Sequence, residues 1–314
     1  MPDPIPGAVV TYFPDTGLVD RLRAIGREVA PLLVADNTTD PAARTAVEAA
    51  AVATGATYLG LPENGGVASG LNAAFARLHA AGHKWAIAFD QDSIPQAGFA
   101  AALQHHATTS GCRVVGADWY DQANPARHAR HLQSMPWLPL LFRRRAAPPS
   151  GLDSATFAIT SGCLFELGLW RDLGGFDPTF PLDYVDIDFC LRARRLGARV
   201  GIAAGAHLAH CRGNKRPVHR FGRTWWPAHI PPARLGHLVC QQLRLIGRHG
   251  WRFPHWALYE ACLFAKLCFD AALLEPDSAT KMRHLCAGIG AALQHHRPNL
   301  SSSPNPDSSH LEAQ

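Results

Sequence analysis

Two aspartates separated by one residue close the apolar run WAIAFDQDSIP, residues 85–95. In an extended segment residues i and i+2 face one side, so Asp90 and Asp92 converge at a strand end. Converging carboxylates repel and lose hydration unless a cation or a donor group offsets them. That pattern fits a divalent-metal site. It equally fits a solvated turn in which an Asp caps the next helix. A second acidic group, Asp183, Asp186 and Asp188, lies in PLDYVDIDFCLRARR. A helix starting near Tyr184 or Val185 puts Asp186 in its first turn, where the dipole favours a carboxylate. One reading is a set of helix N-terminal acids with no chemistry. The other is a general base, which takes the proton of a hydroxyl as that oxygen attacks. One base is enough when the leaving group is already good, as a nucleoside diphosphate held by a metal is. His207 and His210 in HLAHCRGNK form the third element. His210 is expected within reach of Asp92. With Asp90 it completes a small O/N donor set that leaves positions open for phosphate oxygens, as Mg²⁺ or Mn²⁺ commonly bind. A structural histidine is the alternative.

The elements that must position these residues follow from hydropathy pattern. GAVVTYFPD, APLLVADNTTD, ATYLGLPEN and HKWAIAFDQDS are short apolar runs that end in polar or turn residues, the mark of strands. Between them GLVDRLRAIGREV, PAARTAVEAAAVATG and GVASGLNAAFARLHAAG carry helical spacing. This alternation predicts a largely parallel sheet with helices on both faces. Ligands collect outside the carboxyl ends of such strands, where Thr11, Asp36, Asn37, Asn64, Asp90 and Asp92 fall. Residues 118–152, rich in Pro, Arg and His, are expected to be an irregular connection. A strand at ATFAITSGCLFEL, a helix, the acidic cluster opening another helix, and a last strand ending in His210 follow. Beyond residue 220 the pattern turns helical. In YEACLFAKLCFDAALL the charged Glu260, Lys266 and Asp270 share about a third of the helical circumference and leave a broad apolar face. The Ser- and Pro-rich tail is expected to be disordered.

Composition narrows the class. A chain of 314 residues, 47% hydrophobic and 18% charged, can bury a large core. No run of about 18 apolar residues suggests a spanning helix, and the N-terminus lacks a signal-peptide pattern. The eight cysteines form no C-x-x-C pair and read as reduced core residues of a cytosolic protein. Charge is unevenly placed. From Phe189 to Tyr259 there is no Asp or Glu but thirteen of the 30 Lys and Arg, which leaves 17 basic against 25 acidic residues elsewhere. Such asymmetry suits an anionic partner, and the interleaved Trp225, Trp226, Trp251, Phe253 and Trp256 favour a phosphate-bearing or membrane-surface one. ENGGVASGLN follows the third strand and is not G-x-G-x-x-G; a P-loop and a G-x-S-x-G elbow are also missing. Dehydrogenase, P-loop and serine-hydrolase readings lose weight accordingly.

In order along the chain, VVTYFPD, VADNTTD, PENGGVASGLNAAF, FDQDS, TSGCLFEL, GGFDPTFPLDYVDIDFCLRA and HLAHCRG resemble the motifs of family-two inverting glycosyltransferases. The wording of DQDS and DYVDIDFCLR is similar to the bacterial rhamnosyltransferase branch, and the likeness spans about residues 6–215. The resemblance implies a GT-A fold, an α/β nucleotide-diphospho-sugar transferase with a mostly parallel sheet and a C-terminal helical extension. It implies a catalytic domain over 1–220, a helical, membrane-associating region over 221–297 and a tail over 298–314. Asp186 is implied as catalytic base. Asp90 and Asp92 match the D-x-D element that holds metal and diphosphate, with His210 as a further metal ligand. Thr11, Asp36, Asn37, Asn64, Asp90, Asp183, Asp188 and Arg192 make up the expected substrate-binding set. The implied cofactor is Mg²⁺ or Mn²⁺ and the implied donor is a nucleotide sugar, dTDP-rhamnose by branch. The acceptor is a glycan or lipid-linked glycan, with an anionic membrane surface as partner and no nucleic acid. The expected location is cytoplasmic, peripheral on the inner face of the membrane. ARLGHLVCQQLRL departs from the branch, keeping Arg234 but not its Tyr-Tyr and Arg-Asn stretch. A sugar-nucleotide nucleotidyltransferase and a nucleic-acid-binding protein are the rival readings. The first wants a basic phosphate loop where TYFPDTG has none, and neither explains all three clusters.

Overall fold

The structure, a computed structural model, describes residues 4–122, 124–135, 137–210 and 216–295. The chain opens as β1 (Gly7–Thr11), α1 (Leu18–Gly26), β2 (Leu32–Asp36), α2 (Pro41–Ala53), β3 (Thr57–Gly60), α3 (Gly66–Ala80) and β4 (Trp85–Asp90). Both β1 and β2 are buried at all five positions, so they read as continuous apolar runs rather than as an alternation. Then follow β5 (Ile94–Pro95), α4 (Phe99–Ser110), β6 (Val114–Asp121), β7 (Asn124–His128), β8 (His131–Met135), β9 (Leu138–Arg145), β10 (Cys163–Glu166), α5 (Leu167–Asp172), α6 (Val185–Arg195) and β11 (Val200–His210). The large sheet runs β3-β2-β1-β4-β10-β6-β11-β5, with β7 beside β6. Pairing is parallel from β3 to β4 and between β6 and β11, and antiparallel where β10 and β5 join. Apolar layers cover both sides. Phe75, Phe165, Phe176 and Phe189 pack on one, and Leu22, Ile25, Phe89 and Phe99 on the other.

The connection over 118–152 differs from its expectation, since it is mostly strand. β6 and β7 pair antiparallel, and β8 and β9 form their own hairpin. Pro139 is tolerated because a two-stranded ribbon leaves one edge of each strand free of ladder hydrogen bonds.

The C-terminal part consists of β12 (Val218–Arg220), β13 (Arg223–Trp225), α7 (Pro232–His249), α8 (Pro254–Phe269), a π-helical turn over Asp270–Leu274, and α9 (Ser278–His295). A Cβ on Gly288 would stand 2.3 Å from the Gly236 carbonyl oxygen, so α7 and α9 touch through their backbones. Around α8 the acidic members of the polar stripe turn inward. Glu260, and Asp270 just beyond the helix, are buried, while Lys266 stays exposed and Leu258, Ala261, Cys262 and Ala265 face solvent. The inversion has a physical cause. Glu260 accepts from Tyr184 Oη at 3.1 Å and Gln242 Nε2 at 2.8 Å, and Asp270 pairs with Lys266. Among the described residues no helix is long and apolar enough to cross a membrane. The tail over 298–314 lies outside the described residues.

Candidate active site

Parallel register sets Thr11 beside Asp36 and Val10 beside Asp90, so the ends of β1, β2 and β4 open into one crevice. The crevice is a cavity of about 850 Å³ lined, among others, by Thr11, Asn37, Asn64, Asp90, Asp92, Asp183, Asp186 and His210. Asp36 lies beneath its floor, fully buried. It accepts from Thr11 Oγ1 at 2.9 Å, from the Thr38 amide at 3.1 Å and from Tyr58 Oη at 3.1 Å, and so fixes Thr11. Asn37 Nδ2 donates to the Gly66 carbonyl at 3.1 Å, while its buried Oδ1 has no hydrogen-bond partner. Asn64 Oδ1 accepts from the Gly66 amide at 3.0 Å. Gly66 has φ +73°, and a Cβ there would meet the Pro181 carbonyl oxygen at 2.1 Å. That close approach lets Val67 N donate to Pro181 O at 2.6 Å, which ties the start of α3 to the loop leading to Asp186.

Asp90, Asp92 and His210 present ligand atoms that all lie within 4.8 Å of one another. Burial pushes the Asp90 carboxyl up to about 6, with Asp92 adding to the shift and His210 opposing it. Burial also disfavours the His210 imidazolium, but the carboxylates of Asp92 and Asp90 outweigh it and raise its pKa. His210 Nδ1 stands 3.3 Å from Asp92 Oδ1, is buried, and completes no hydrogen bond. Two carboxylates and an imidazole with an orphaned nitrogen suit a hard or borderline divalent cation, so the residues fit such an ion.

Asp186 sits in the first turn of α6. Its Oδ1 accepts from the Ile187 amide at 2.8 Å. Burial pushes its carboxyl up to about 7, against that hydrogen bond, and the charges of Asp90 and Asp183 push it further. A carboxyl near neutrality suits a proton acceptor better than an ordinary aspartate does. The residue before the helix, Tyr184, has φ +67°, a conformation that costs a non-glycine residue energy. Its hydroxyl donates to Glu260, so α8 holds the turn that aims Asp186.

The cavity does not receive every expected residue. Asp188 is fully buried on the far side of α6. It accepts from Arg192 Nε at 2.6 Å, His249 Nε2 at 3.0 Å and Arg248 Nη1 at 3.1 Å. Arg192 also donates to the carbonyls of Leu173 and Gly175, both at 2.9 Å. Helical geometry explains the split, since residues two apart on a helix project in nearly opposite directions. Conversely, Tyr12, Gln91 and Arg234 line the cavity without having been singled out for it. Arg234 Nη2 donates to Asp183 Oδ1 at 3.2 Å. The signal for Arg234 was present, because ARLGHLVCQQLRL keeps it where that segment otherwise departs from the motifs it resembles. Gln91, between the two aspartates, accepts from the Tyr12 amide at 2.8 Å and so joins the loops after β1 and β4.

Comparison with solved structures gives a GT-A-like α/β fold. The chain is similar to S. aureus TarS 1–349 in complex with UDP-GlcNAc, with a TM-score of 0.57 and 13% identity over 92% of this chain and 82% of that one. It is similar to GalNAc-T7 with UDP, GalNAc and Mn²⁺, with a TM-score of 0.57 and 11% identity over 95% of this chain and 59% of that one. Against the longer TarS chain the TM-score is 0.54 at 13% identity, with 92% of this chain covered, and the chain spans 49% of that length. At such identities the likeness is one of fold. No curated protein matches the sequence significantly. The model of the family described as "Glycosyltransferase like family 2" matches residues 20–242, more than half of the chain.

Proposed function

The chain belongs to glycosyltransferase-like family 2, and on that premise we propose that it is a metal-dependent inverting glycosyltransferase with Asp186 as its general base. The observation that supports this most is the convergence of Asp186 with Asp90, Asp92 and His210 on one cavity. Thr11, Asn37 and Asn64 take the nucleoside. The unpaired Asn37 Oδ1 is an acceptor for a base or ribose donor group. Asp90, Asp92 and His210 would hold Mg²⁺ or Mn²⁺, which when bound supplies positive charge to the leaving diphosphate. Arg234 adds a fixed cation at the rim, steadied by Asp183. Asp186 accepts the proton of an acceptor hydroxyl as that oxygen attacks the anomeric carbon from the face opposite the diphosphate.

The donor in this reading is dTDP-rhamnose, from the motif likeness of DQDS and DYVDIDFCLR, and the acceptor is a glycan or lipid-linked glycan. The structural neighbours were solved with UDP-GlcNAc, UDP and GalNAc, so the test is a calorimetric screen of dTDP against UDP and GDP sugars with Mn²⁺ present. Tightest binding of dTDP-rhamnose supports the assignment; preference for a UDP sugar replaces it. In the same assay Asp92→Ala should weaken donor binding by more than about 10-fold, the lower end of what even an outer-shell change at a metal site costs. Affinity that stays at the wild-type level in Mn²⁺ would remove Asp92 from the metal site.

In this reading residues 1–220 are catalytic and 221–297 face a membrane. The surface around α8 supports it. Trp137 (93% exposed), Leu138 and Leu140 project from the β8–β9 hairpin, where Phe142 meets Tyr259 of α8 edge to face. Trp251, just before α8, is 75% exposed. Arg143 and Arg144 lie on the same hairpin, and basic residues near an anionic bilayer contribute about 1 kcal/mol each. The full chain should float with liposomes in proportion to anionic lipid and detach as salt rises. Flotation indifferent to both would count against the membrane.

A further inference from the structure

We propose that Asp118, His128 and His207 form a second metal site, for a divalent ion of the zinc class, separate from the donor cavity, with His131 against the same carboxylate. The four residues come from four different strand positions that the fold brings together. Asp118 on β6 is register partner to His207 on β11, while His128 ends β7 and His131 begins β8. His128 Nδ1 is 2.9 Å from Asp118 Oδ2, and His207 Nδ1 is 3.8 Å from the same oxygen. His131 Nε2 is 3.8 Å from the other oxygen, Oδ1. Ligand atoms of Asp118, His128 and His207 all lie within 4.8 Å of one another. A tetrahedral ion with bonds of about 2.0–2.1 Å separates its ligand atoms by about 3.3 Å, which these spacings bracket.

A cluster of this kind needs a reason to be read as a site, and hydrogen-bond accounting supplies one. Asp118 Oδ1, His131 Nε2 and His207 Nδ1 are all buried without a hydrogen-bond partner. The side chains of Asp118 and His131 are only 10% and 6% exposed. Buried polar atoms are almost always paired, so orphans gathered around one carboxylate mark a missing occupant. Two imidazoles and one carboxylate, with a fourth position open to water, are a borderline donor set that favours zinc over magnesium or calcium. His128 and His207 remain more than a third exposed, which gives the ion an entry path. Their rings stand edge to face at 5.7 Å, and His128 lies against Tyr120 at 5.7 Å, so the ligands are already oriented. Along β11, His207 and His210 are three residues apart and project to opposite sides of the sheet. An ion at His207 would therefore clamp the otherwise short β7 to the strand that delivers His210, without entering the donor cavity.

The test uses the full chain, stripped with a chelator and titrated with Zn²⁺. Asp92→Ala/His210→Ala removes the first site. This variant should still bind about one Zn²⁺ per chain, and Co²⁺ should give the intense visible bands of a tetrahedral site. Adding His128→Gln and His207→Gln should lower that affinity by more than about 100-fold, beyond the cost of an outer-shell change. Zinc-edge X-ray absorption on the folded Asp92→Ala/His210→Ala protein should count two imidazole ligands, a readout that does not depend on the histidine variants folding. No zinc in that protein, or zinc retained after the histidine changes, would overturn the proposal. A sulfur ligand in the spectrum would overturn it too, because it would place the ion at the alternative group of His106, Cys112 and Asp153.

Discussion

Replacing Asp186 by Asn is expected to lower turnover by about 10²–10⁴-fold, the usual share of a positioned proton acceptor, while calorimetric donor affinity in Mn²⁺ stays near wild type. The amide keeps the shape and the hydrogen bond from Ile187 is weakened, but nothing remains to take the acceptor proton. The same variant carries a stability signature that a bystander residue would lack. In the metal-free protein the Asp186 carboxyl has moved from 3.8 to about 7, mainly through burial, with Asp90 and Asp183 as the facing charges. A raised folded-state pKa means that the folded protein holds the proton more tightly than the unfolded chain. Wild-type stability from this group is therefore full below about pH 4 and falls as pH rises through about 7. Asn has no proton to lose. With chelator present, the melting temperature of Asp186→Asn should match wild type near pH 4 and exceed it at pH 8, by a few kcal/mol in free energy at about 1.4 kcal/mol per pKa unit. Full turnover in the variant, or a stability difference that does not change with pH, would sink the assignment of Asp186 as a buried base.

Asp188→Asn, two residues on, should do the reverse. It is expected to destabilise the fold by about 3–5 kcal/mol, the cost of breaking a buried ion pair from one side. The carboxylate meets Arg192, Arg248 and His249 at once and joins α6 to the end of α7. Burial opposes its charge, but the His249 hydrogen bond and the Arg192 and Arg248 guanidinium groups hold its pKa below the usual range. Its contribution is therefore complete above about pH 4 and is lost as pH falls further. Removing the charge leaves the Arg192 guanidinium without its carboxylate, while Arg248 keeps only Asp177. Denaturant unfolding at pH 7 measures the loss. Were Asp188 instead a substrate ligand, KM would rise with little change in unfolding midpoint, and that pattern would refute the bracing role.

The contrast between these two aspartates marks what is local and what is not. DYVDID carries its chemistry openly as residue types, yet helical rotation sends Asp186 toward the cavity and Asp188 into the α6–α7 junction. Similar limits apply to the 118–152 connection. Its Pro and Arg content suggested irregular chain, but β8 and β9 form a two-stranded ribbon among the described residues, and such a ribbon needs neither purely apolar faces nor proline-free strands. Glu260 reads as a solvent-facing charge on an apolar helix, whereas Tyr184 and Gln242, 76 and 18 positions away in the chain, make it a buried acceptor.

The sequence by itself determined the βαβ alternation, the carboxyl-end placement of Thr11, Asn37, Asn64, Asp90 and Asp92, and the helix start near Val185 that puts Asp186 in its first turn. Each depends on hydropathy period, turn residues and strand alternation, which act over a few neighbouring positions. Tertiary structure alone decided that Asp36 supports the cavity floor instead of lining it, that α8 turns Glu260 inward, and that Asp118 meets three histidines. Those outcomes depend on which distant polar atoms arrive to satisfy one another, and a buried charge takes its role from the partners that the fold supplies.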